Sequence, residues 1–219
     1  MLEADLDGVE LDLQQTKDGV LVLFHDFLVQ GVPVHLLTLA ELRARVPGLA
    51  TLEEALALLE RYPKARVNLE LKSIPGLEDQ RATRLAALLA TWPQRERVLV
   101  SSFDPLALVD LKEALPELPV GLLYLGRDRA PLALRLGLDA ALPEVGLLTP
   151  AYVEGLKTRG LLVGTWPVAS NEALARALAA GPDLAIGEAS LLLKAKQELG
   201  HGEVDQEPRD VAHGGDQGV

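Results

Sequence analysis

Two acidic residues and a histidine near the start of the chain have types and spacing that suit hydrolytic chemistry. Glu10 and Asp12 are two positions apart, so in a strand they lie on the same face. Paired carboxylates suit a hard divalent cation, and a histidine beside it, here His25, is placed for proton transfer to or from a reacting oxygen. The same residues could equally be the solvated face of an amphipathic strand and a loop histidine.

The segment from 7 to 26 must bring these side chains together. Apolar and polar residues alternate in it, and a Lys-Asp-Gly turn signal separates two halves, which predicts a β-hairpin. If the turn is centred on Asp18 and Gly19, antiparallel pairing places Asp12 opposite or nearly opposite His25. We therefore expect the carboxylates and the imidazole to converge on one patch.

A second predicted strand, at 65–72, supplies two further candidates. Its alternation places Glu70 and Lys72 on one face at its carboxyl end. In a barrel of parallel strands that end faces the catalytic mouth, so both side chains can reach Glu10 and Asp12. Glu70 then becomes a third metal ligand, and Lys72 can neutralise negative charge that develops in a transition state. A structural glutamate–lysine pair at a strand end would explain the same two residues.

A series of motifs, in this order along the chain, resembles the glycerophosphodiester phosphodiesterase family. The motifs are Glu-Leu-Asp at 10–12, Thr-Lys-Asp-Gly at 16–19, His-Asp at 25–26, and the segments 51–56, 68–72, 101–105, Trp166 and 183–188. The resemblance covers residues 3 to about 190, and the ordered series is more specific than any single motif. It implies a TIM (β/α)8 barrel that hydrolyses a small-molecule glycerophosphodiester to glycerol 3-phosphate and an alcohol, within glycerol and lipid metabolism.

The resemblance also implies roles for individual residues. It assigns a divalent metal, Ca²⁺ or Mg²⁺, to Glu10, Asp12 and Glu70, and assigns general acid–base catalysis to His25. Lys72 is expected to act in catalysis as well as in binding. The predicted substrate contacts are Lys72, Ser102, Phe103 and Trp166. In the family, a tryptophan at the last of these positions walls the substrate pocket.

One block of the family pattern has no counterpart in this sequence. The family opens with a strand ending in His-Arg-Gly and a helix beginning near Glu-Asn-Thr, whereas this sequence starts inside what would be the end of that helix. We count seven parallel strands plus the hairpin arm, and a closed barrel needs eight. The prediction is an incomplete barrel over residues 1–195 and a disordered tail at 196–219.

The missing block leaves three functions open. The first is a phosphodiesterase whose working sequence begins upstream of Met1. The sequence as given should then be severely impaired, because it lacks the histidine of His-Arg-Gly and one general acid or base typically contributes ~10²–10⁴ in rate. The second is a decayed barrel that binds metal or phosphodiester without turnover. The third is an enzyme of the phosphatidylinositol phospholipase C kind, and the Thr-Lys-Asp-Gly motif argues against this function.

Two departures from the family pattern, Trp-Pro-Val-Ala at 166–169 and Glu188, concern substrate preference.

Bulk composition limits the class of protein further. A chain of 219 residues, 48% of them hydrophobic, can bury one sizeable core. A formal net charge of −11 disfavours nucleic acid and anionic membrane surfaces as partners, so an anionic substrate needs a local cation. The absence of cysteine excludes disulfides and thiolate metal sites. An acidic start and the lack of a membrane-spanning apolar run predict a cytoplasmic protein without stable membrane insertion, of unspecified oligomeric state.

Overall fold

The chain folds into a curled, mostly parallel β-sheet with helices packed against it. The computed structural model describes residues 6–74 and 80–202. Its strands are β1 (Gly8–Gln15), β2 (Leu21–Leu23), β3 (Leu28–Val29), β4 (Val32–Pro33), β5 (Arg66–Leu71), β6 (Val98–Ser102), β7 (Val120–Tyr124), β8 (Ala140–Pro143), β9 (Leu162–Val168) and β10 (Leu184–Gly187). Its helices are α1 (Leu39–Arg45), α2 (Leu52–Leu59), α3 (Arg81–Thr91), α4 (Pro105–Ala114), α5 (Ala130–Arg135), α6 (Pro150–Lys157), α7 (Asn171–Ala180) and α8 (Ala189–Gly202).

Eight strands form the main sheet, in the order β10-β9-β8-β7-β6-β5-β1-β2. Every neighbouring pair from β10 to β1 is parallel, while β2 pairs with β1 in the antiparallel sense. The predicted barrel type and its seven parallel strands plus a hairpin arm are confirmed. Within the part of the chain that the structure describes, β10 and β1 form no ladder with one another, so the sheet curls around its interior without closing.

Local signals set the beginnings of several helices. Thr38 and Glu41 form a capping box at α1, and Thr51 and Glu54 form another at α2, both as their spacing predicts. At α4 the Asp104 side chain accepts hydrogen bonds from two backbone N–H groups of the first turn. The cap of α4 fixes where the chain leaves the end of β6.

The apolar core of the described residues has three clusters. The largest lies between the strands and the helices that connect them. A second joins the hairpin arm to α1 through Val22 and Leu42. The third lies inside the curl, where Leu123 and Leu142 pack together with Trp166. Gly121 makes room for this packing, because a Cβ atom there would stand 2.4 Å from the Leu142 side chain. Trp166 packs against this cluster and so lies on the inner face of β9.

Helix α8 extends past residue 196, where the sequence predicts the C-terminal tail to begin. Residues 196–202, assigned above to a disordered segment, continue this helix. The reason is a helical period in the sequence, since Leu192 packs on the core and Ala195 is buried while Lys194 faces solvent. The rest of the predicted tail, 203–219, lies outside the described residues, as does most of the predicted helical start at 1–7. No described helix is long and apolar enough to cross a membrane.

Candidate active site

Three carboxylates meet where the middle of β1 lies beside the carboxyl end of β5. Glu10 and Asp12 leave β1 on one face, and Glu70 of β5 stands beside Asp12 in the parallel register. One oxygen from each residue lies within 4.8 Å of the other two. Carboxylate oxygens clustered in this way are the ligands that Ca²⁺ and Mg²⁺ prefer. The structure therefore brings together the three residues that the sequence predicts as metal ligands.

Lys72 neutralises part of this cluster. Its Nζ atom lies 2.8 Å from Asp12 Oδ1 and 3.0 Å from Glu70 Oε1, and the lysine side chain is only 11% exposed. Burial by itself lowers the pKa of Lys72, but the hydrogen bonds to these two carboxylates outweigh it, and the net effect raises the pKa. Lys72 is therefore held as a cation at the position where the sequence predicts one.

Glu10 is the member of the cluster whose charge is least compensated. Its Oε1 atom is buried and has no hydrogen-bond partner within residues 6–74 and 80–202. Burial, followed by the charges of Asp12 and Glu70, raises the pKa of Glu10 to about 7. A divalent cation would supply both the missing partner and the missing charge, so this donor set fits a metal ion.

His25 lies beside the cluster on the return arm of the hairpin. The backbone N–H of Phe24 donates to the Asp12 carbonyl oxygen at 3.0 Å, so Phe24 lies opposite Asp12. His25 is the next residue, which is close to the predicted register. The imidazole is 73% exposed, and its Nδ1 atom lies 2.8 Å from Asp26 Oδ1. When Asp26 engages Nδ1, Nε2 is left for proton transfer, so the carboxylate of Asp26 can select the tautomer.

Gln14 is a residue of the site that sequence reasoning missed. Its Nε2 atom donates to the carbonyl oxygens of Phe24, at 2.9 Å, and of Asp26, at 2.6 Å. These carbonyls flank His25, and Gln14 is only 3% exposed. Gln14 therefore anchors the backbone that carries the imidazole. The available signal was a polar residue two positions after Asp12, on the same strand face.

An aromatic pair crosses the mouth from β6 to β9. The rings of Phe103 and Trp166 are perpendicular, at 88°, with centroids 5.1 Å apart. Trp166 Nε1 donates to the Leu142 carbonyl oxygen at 2.9 Å, which fixes the indole, and Phe103 remains 42% exposed. Two of the predicted substrate contacts are thus brought together at the rim.

Ser102 occupies a different environment from the one predicted. It is fully buried, and its hydroxyl donates to the Leu71 carbonyl oxygen at 2.7 Å while accepting from the Asp104 N–H at 3.1 Å. Strand alternation explains this, because Ser102 points away from the face that carries Phe103. The geometry supports a structural role for Ser102, which joins the ends of β5 and β6, in place of the predicted substrate contact.

The fold and the site define an α/β-barrel protein with an acidic, metal-competent centre at the carboxyl ends of its strands. The model of the glycerophosphoryl diester phosphodiesterase family matches residues 1–189, and the chain belongs to that family of enzymes. The resemblance drawn from the sequence motifs is confirmed.

Named relatives agree with this membership. The glycerophosphodiester phosphodiesterase of Caldanaerobacter subterraneus subsp. tengcongensis is 33% identical over 205 residues, covering 83% of this chain and 82% of the relative. The enzyme of the same name from Bacillus subtilis is 29% identical over 210 residues, covering 76% and 68%.

Solved structures show the same fold. An Oleispira antarctica phosphodiesterase in complex with the product sn-glycerol-3-phosphate superimposes with a TM-score of 0.79 at 22% identity, covering 90% of this chain and 87% of that one. A glycerophosphodiester phosphodiesterase from Parabacteroides distasonis gives 0.76 at 24% identity, covering 91% and 85%. At these identities the likeness concerns the fold alone.

Proposed function

We propose that this chain hydrolyses glycerophosphodiesters to glycerol 3-phosphate and an alcohol with the help of a divalent metal. The observation that carries the proposal is the convergence of Glu10, Asp12, Glu70 and Lys72 at the mouth of the barrel. The names of the relatives and the sn-glycerol-3-phosphate bound to the Oleispira structure support the reaction class. A cytoplasmic location and the exclusion of nucleic-acid partners rest on composition alone.

In this proposal, Glu10, Asp12 and Glu70 hold Ca²⁺ or Mg²⁺. Such an ion, when bound, polarises a phosphoryl oxygen as a Lewis acid. The buried and unpartnered Oε1 atom of Glu10 supports this assignment, because a carboxylate oxygen without a partner is costly to bury. The chain contains no cysteine, so oxygen ligands also agree with a hard cation.

The remaining side chains of the site act on the substrate. Lys72 places a positive charge where negative charge develops on the phosphate. His25 can take up or release a proton at Nε2, toward the attacking water or the leaving alcohol, while Asp26 orients the ring. Phe103 and Trp166 wall the organic part of the substrate and exclude water from one side of the mouth.

Release of glycerol 3-phosphate from glycerophosphoethanolamine tests the proposal. The purified chain should release it with Ca²⁺ or Mg²⁺, and EDTA should abolish the release. Glu10→Gln should lower the rate by about 10²-fold or more, whereas Glu53→Gln, on the exposed face of α2, should leave it unchanged. The rate that the purified chain reaches with Ca²⁺ or Mg²⁺ also tests the expectation, drawn from the missing family block, that its activity is severely impaired. Metal binding without any release of glycerol 3-phosphate would instead identify a barrel that binds without turnover.

A further inference from the structure

A second acidic position lies at the mouth, apart from the metal cluster. Glu144 directly follows β8 and forms a parallel bridge with Trp166 of β9. Bridge partners in a parallel ladder project their side chains to the same face of the sheet. Trp166 packs with the inner cluster around Leu142, so Glu144 also lies on the inner side, at the rim.

The carboxylate of Glu144 forms no ion pair with any residue that the structure describes. Its Oε2 atom lies 2.8 Å from the point where a Cβ on Gly146 would stand, so the missing side chain at 146 leaves room for it. Arg127, in the neighbouring loop, is engaged elsewhere. Its guanidinium donates to the Leu147 carbonyl oxygen at 2.6 Å and lies 4.7 Å from the centroid of the Tyr152 ring.

The aromatic pair belongs to the strand positions beside Glu144. Trp166 is the bridge partner of Glu144, and Phe103 meets its ring at 5.1 Å while keeping 42% of its own surface exposed. An accessible aromatic surface attracts an ammonium group through the ring quadrupole, and a nearby carboxylate adds Coulomb attraction. Strand β8, which Glu144 follows, lies between β6 and β9 in the sheet, whereas the metal cluster lies on β5 and β1.

We propose that Glu144, Phe103 and Trp166 form a subsite for a positively charged alcohol group. The chain would then prefer glycerophosphodiesters of ammonium alcohols over those of neutral alcohols. This inference deepens the proposed function and rests on it for the reaction at the phosphate.

Selectivity between two diesters tests the subsite. Glycerophosphocholine and glycerophosphoglycerol carry the same phosphate, but only the first carries a cation. The ratio of their kcat/KM values should favour glycerophosphocholine by about tenfold, and Glu144→Gln should lower that ratio by about fivefold or more. Glu154→Gln, on the exposed face of α6, should leave the ratio unchanged. Equal kcat/KM values for the two diesters, or a preference that survives Glu144→Gln, would overturn the proposal.

Measurements of diester binding distinguish an error in the proposed subsite from an error in the proposed reaction. If no diester is hydrolysed, the Kd values of the same two diesters, measured by titration calorimetry in the presence of Ca²⁺, replace the kinetic ratio. Tighter binding of glycerophosphocholine that is lost in Glu144→Gln supports the subsite even though the reaction assignment has failed. Equal Kd values in the wild-type chain overturn the subsite. Circular dichroism of each variant confirms that the fold is intact.

Discussion

The ammonium group of Lys72 lies 2.8 Å from the carboxylate of Asp12, and this ion pair joins the end of β5 to β1 at the mouth. Both side chains are largely withdrawn from water, with exposed fractions of 11% and 19%. The lysine also offsets the repulsion among three carboxylates whose oxygens lie within 4.8 Å. Removing one partner of such a pair leaves an uncompensated charge, which costs more than an exposed ion pair does.

Lys72→Met should therefore destabilise the metal-free protein by about 2–3 kcal/mol, which lowers Tm by roughly 5–10 °C for a chain of this size. Added Ca²⁺ should reduce the difference, because a bound cation replaces the lost charge. Thermal unfolding in EDTA and in Ca²⁺ measures both effects. Lys64→Met, at an exposed position, serves as the control. Equal Tm values for Lys72→Met and wild type in EDTA would contradict the stabilising role.

The stability of the metal-free protein should fall as pH rises through the titration of Glu10. Burial, followed by the charges of Asp12 and Glu70, raises the pKa of Glu10 from its ordinary value of 4.5 to about 7. The fold therefore favours the protonated form, whose contribution is complete below pH 4.5 and is lost as pH rises through 7. The loss is on the order of 1–3 kcal/mol after allowance for partial solvent screening.

Urea unfolding in EDTA at pH 5 and pH 8 measures this loss. Glu10→Gln cannot ionise, so its stability should change less between the two pH values than that of the wild type. Metal binding requires ionised Glu10, so Ca²⁺ affinity should also weaken below pH 7. If wild type and Glu10→Gln show the same pH dependence, Glu10 does not titrate in this range.

Gln14→Leu should impair the chain through His25. The variant leaves the carbonyl oxygens of Phe24 and Asp26 without their donor, so stability should fall by about 1–3 kcal/mol. In the diesterase assay, kcat should fall more than KM changes, because the substrate contacts remain while the imidazole loses its fixed position.

Gln15→Leu is the matched control for this variant. Gln15 is the neighbouring glutamine, and its Oε1 atom is buried without a hydrogen-bond partner among the residues described. Its replacement by leucine should therefore be nearly neutral or stabilising. Similar losses in both variants would show that the hairpin tolerates neither change, and would argue against a specific role for Gln14.

Asp183→Asn should weaken the opposite end of the barrel without affecting the diesterase rate. Asp183 accepts a hydrogen bond from the Val163 N–H at 2.9 Å and pairs with Lys157 at 2.7 Å, and Asp139 makes equivalent contacts at the start of β8. Burial raises the pKa of Asp183, but the bonds from Lys157 and Val163 outweigh it, so the net pKa is lowered.

Because folding lowers the pKa of Asp183, its contribution to the stability of the folded protein should be lost in acid. Stability from Asp183 is present above the ordinary pKa of 3.8 and is lost as pH falls through the lower folded value. At pH 7 the variant should unfold at a lower temperature than the wild type, and near pH 3 the difference should shrink. A pH-independent difference would indicate a packing effect in place of the charge.

The sequence by itself determined the local features of this protein, because their causes lie within a few residues. The period of two places Glu10 with Asp12, and Glu70 with Lys72, on common strand faces. The threonine–glutamate spacing at α1 and α2 determines their capping boxes. The same local order carries the motifs by which the family is identified, and the helical period that extends α8 was available to the same analysis.

Only the tertiary structure decided the individual contacts that these faces make. The ion pair between Lys72 and Asp12 depends on the register of β5 against β1, and the contact between Phe103 and Trp166 depends on the curl of the sheet. Gln14 finds its two acceptors only when the hairpin arm has returned beside β1. Such contacts join distant parts of the chain, so they follow from the packing of whole strands and helices, which no local sequence pattern specifies.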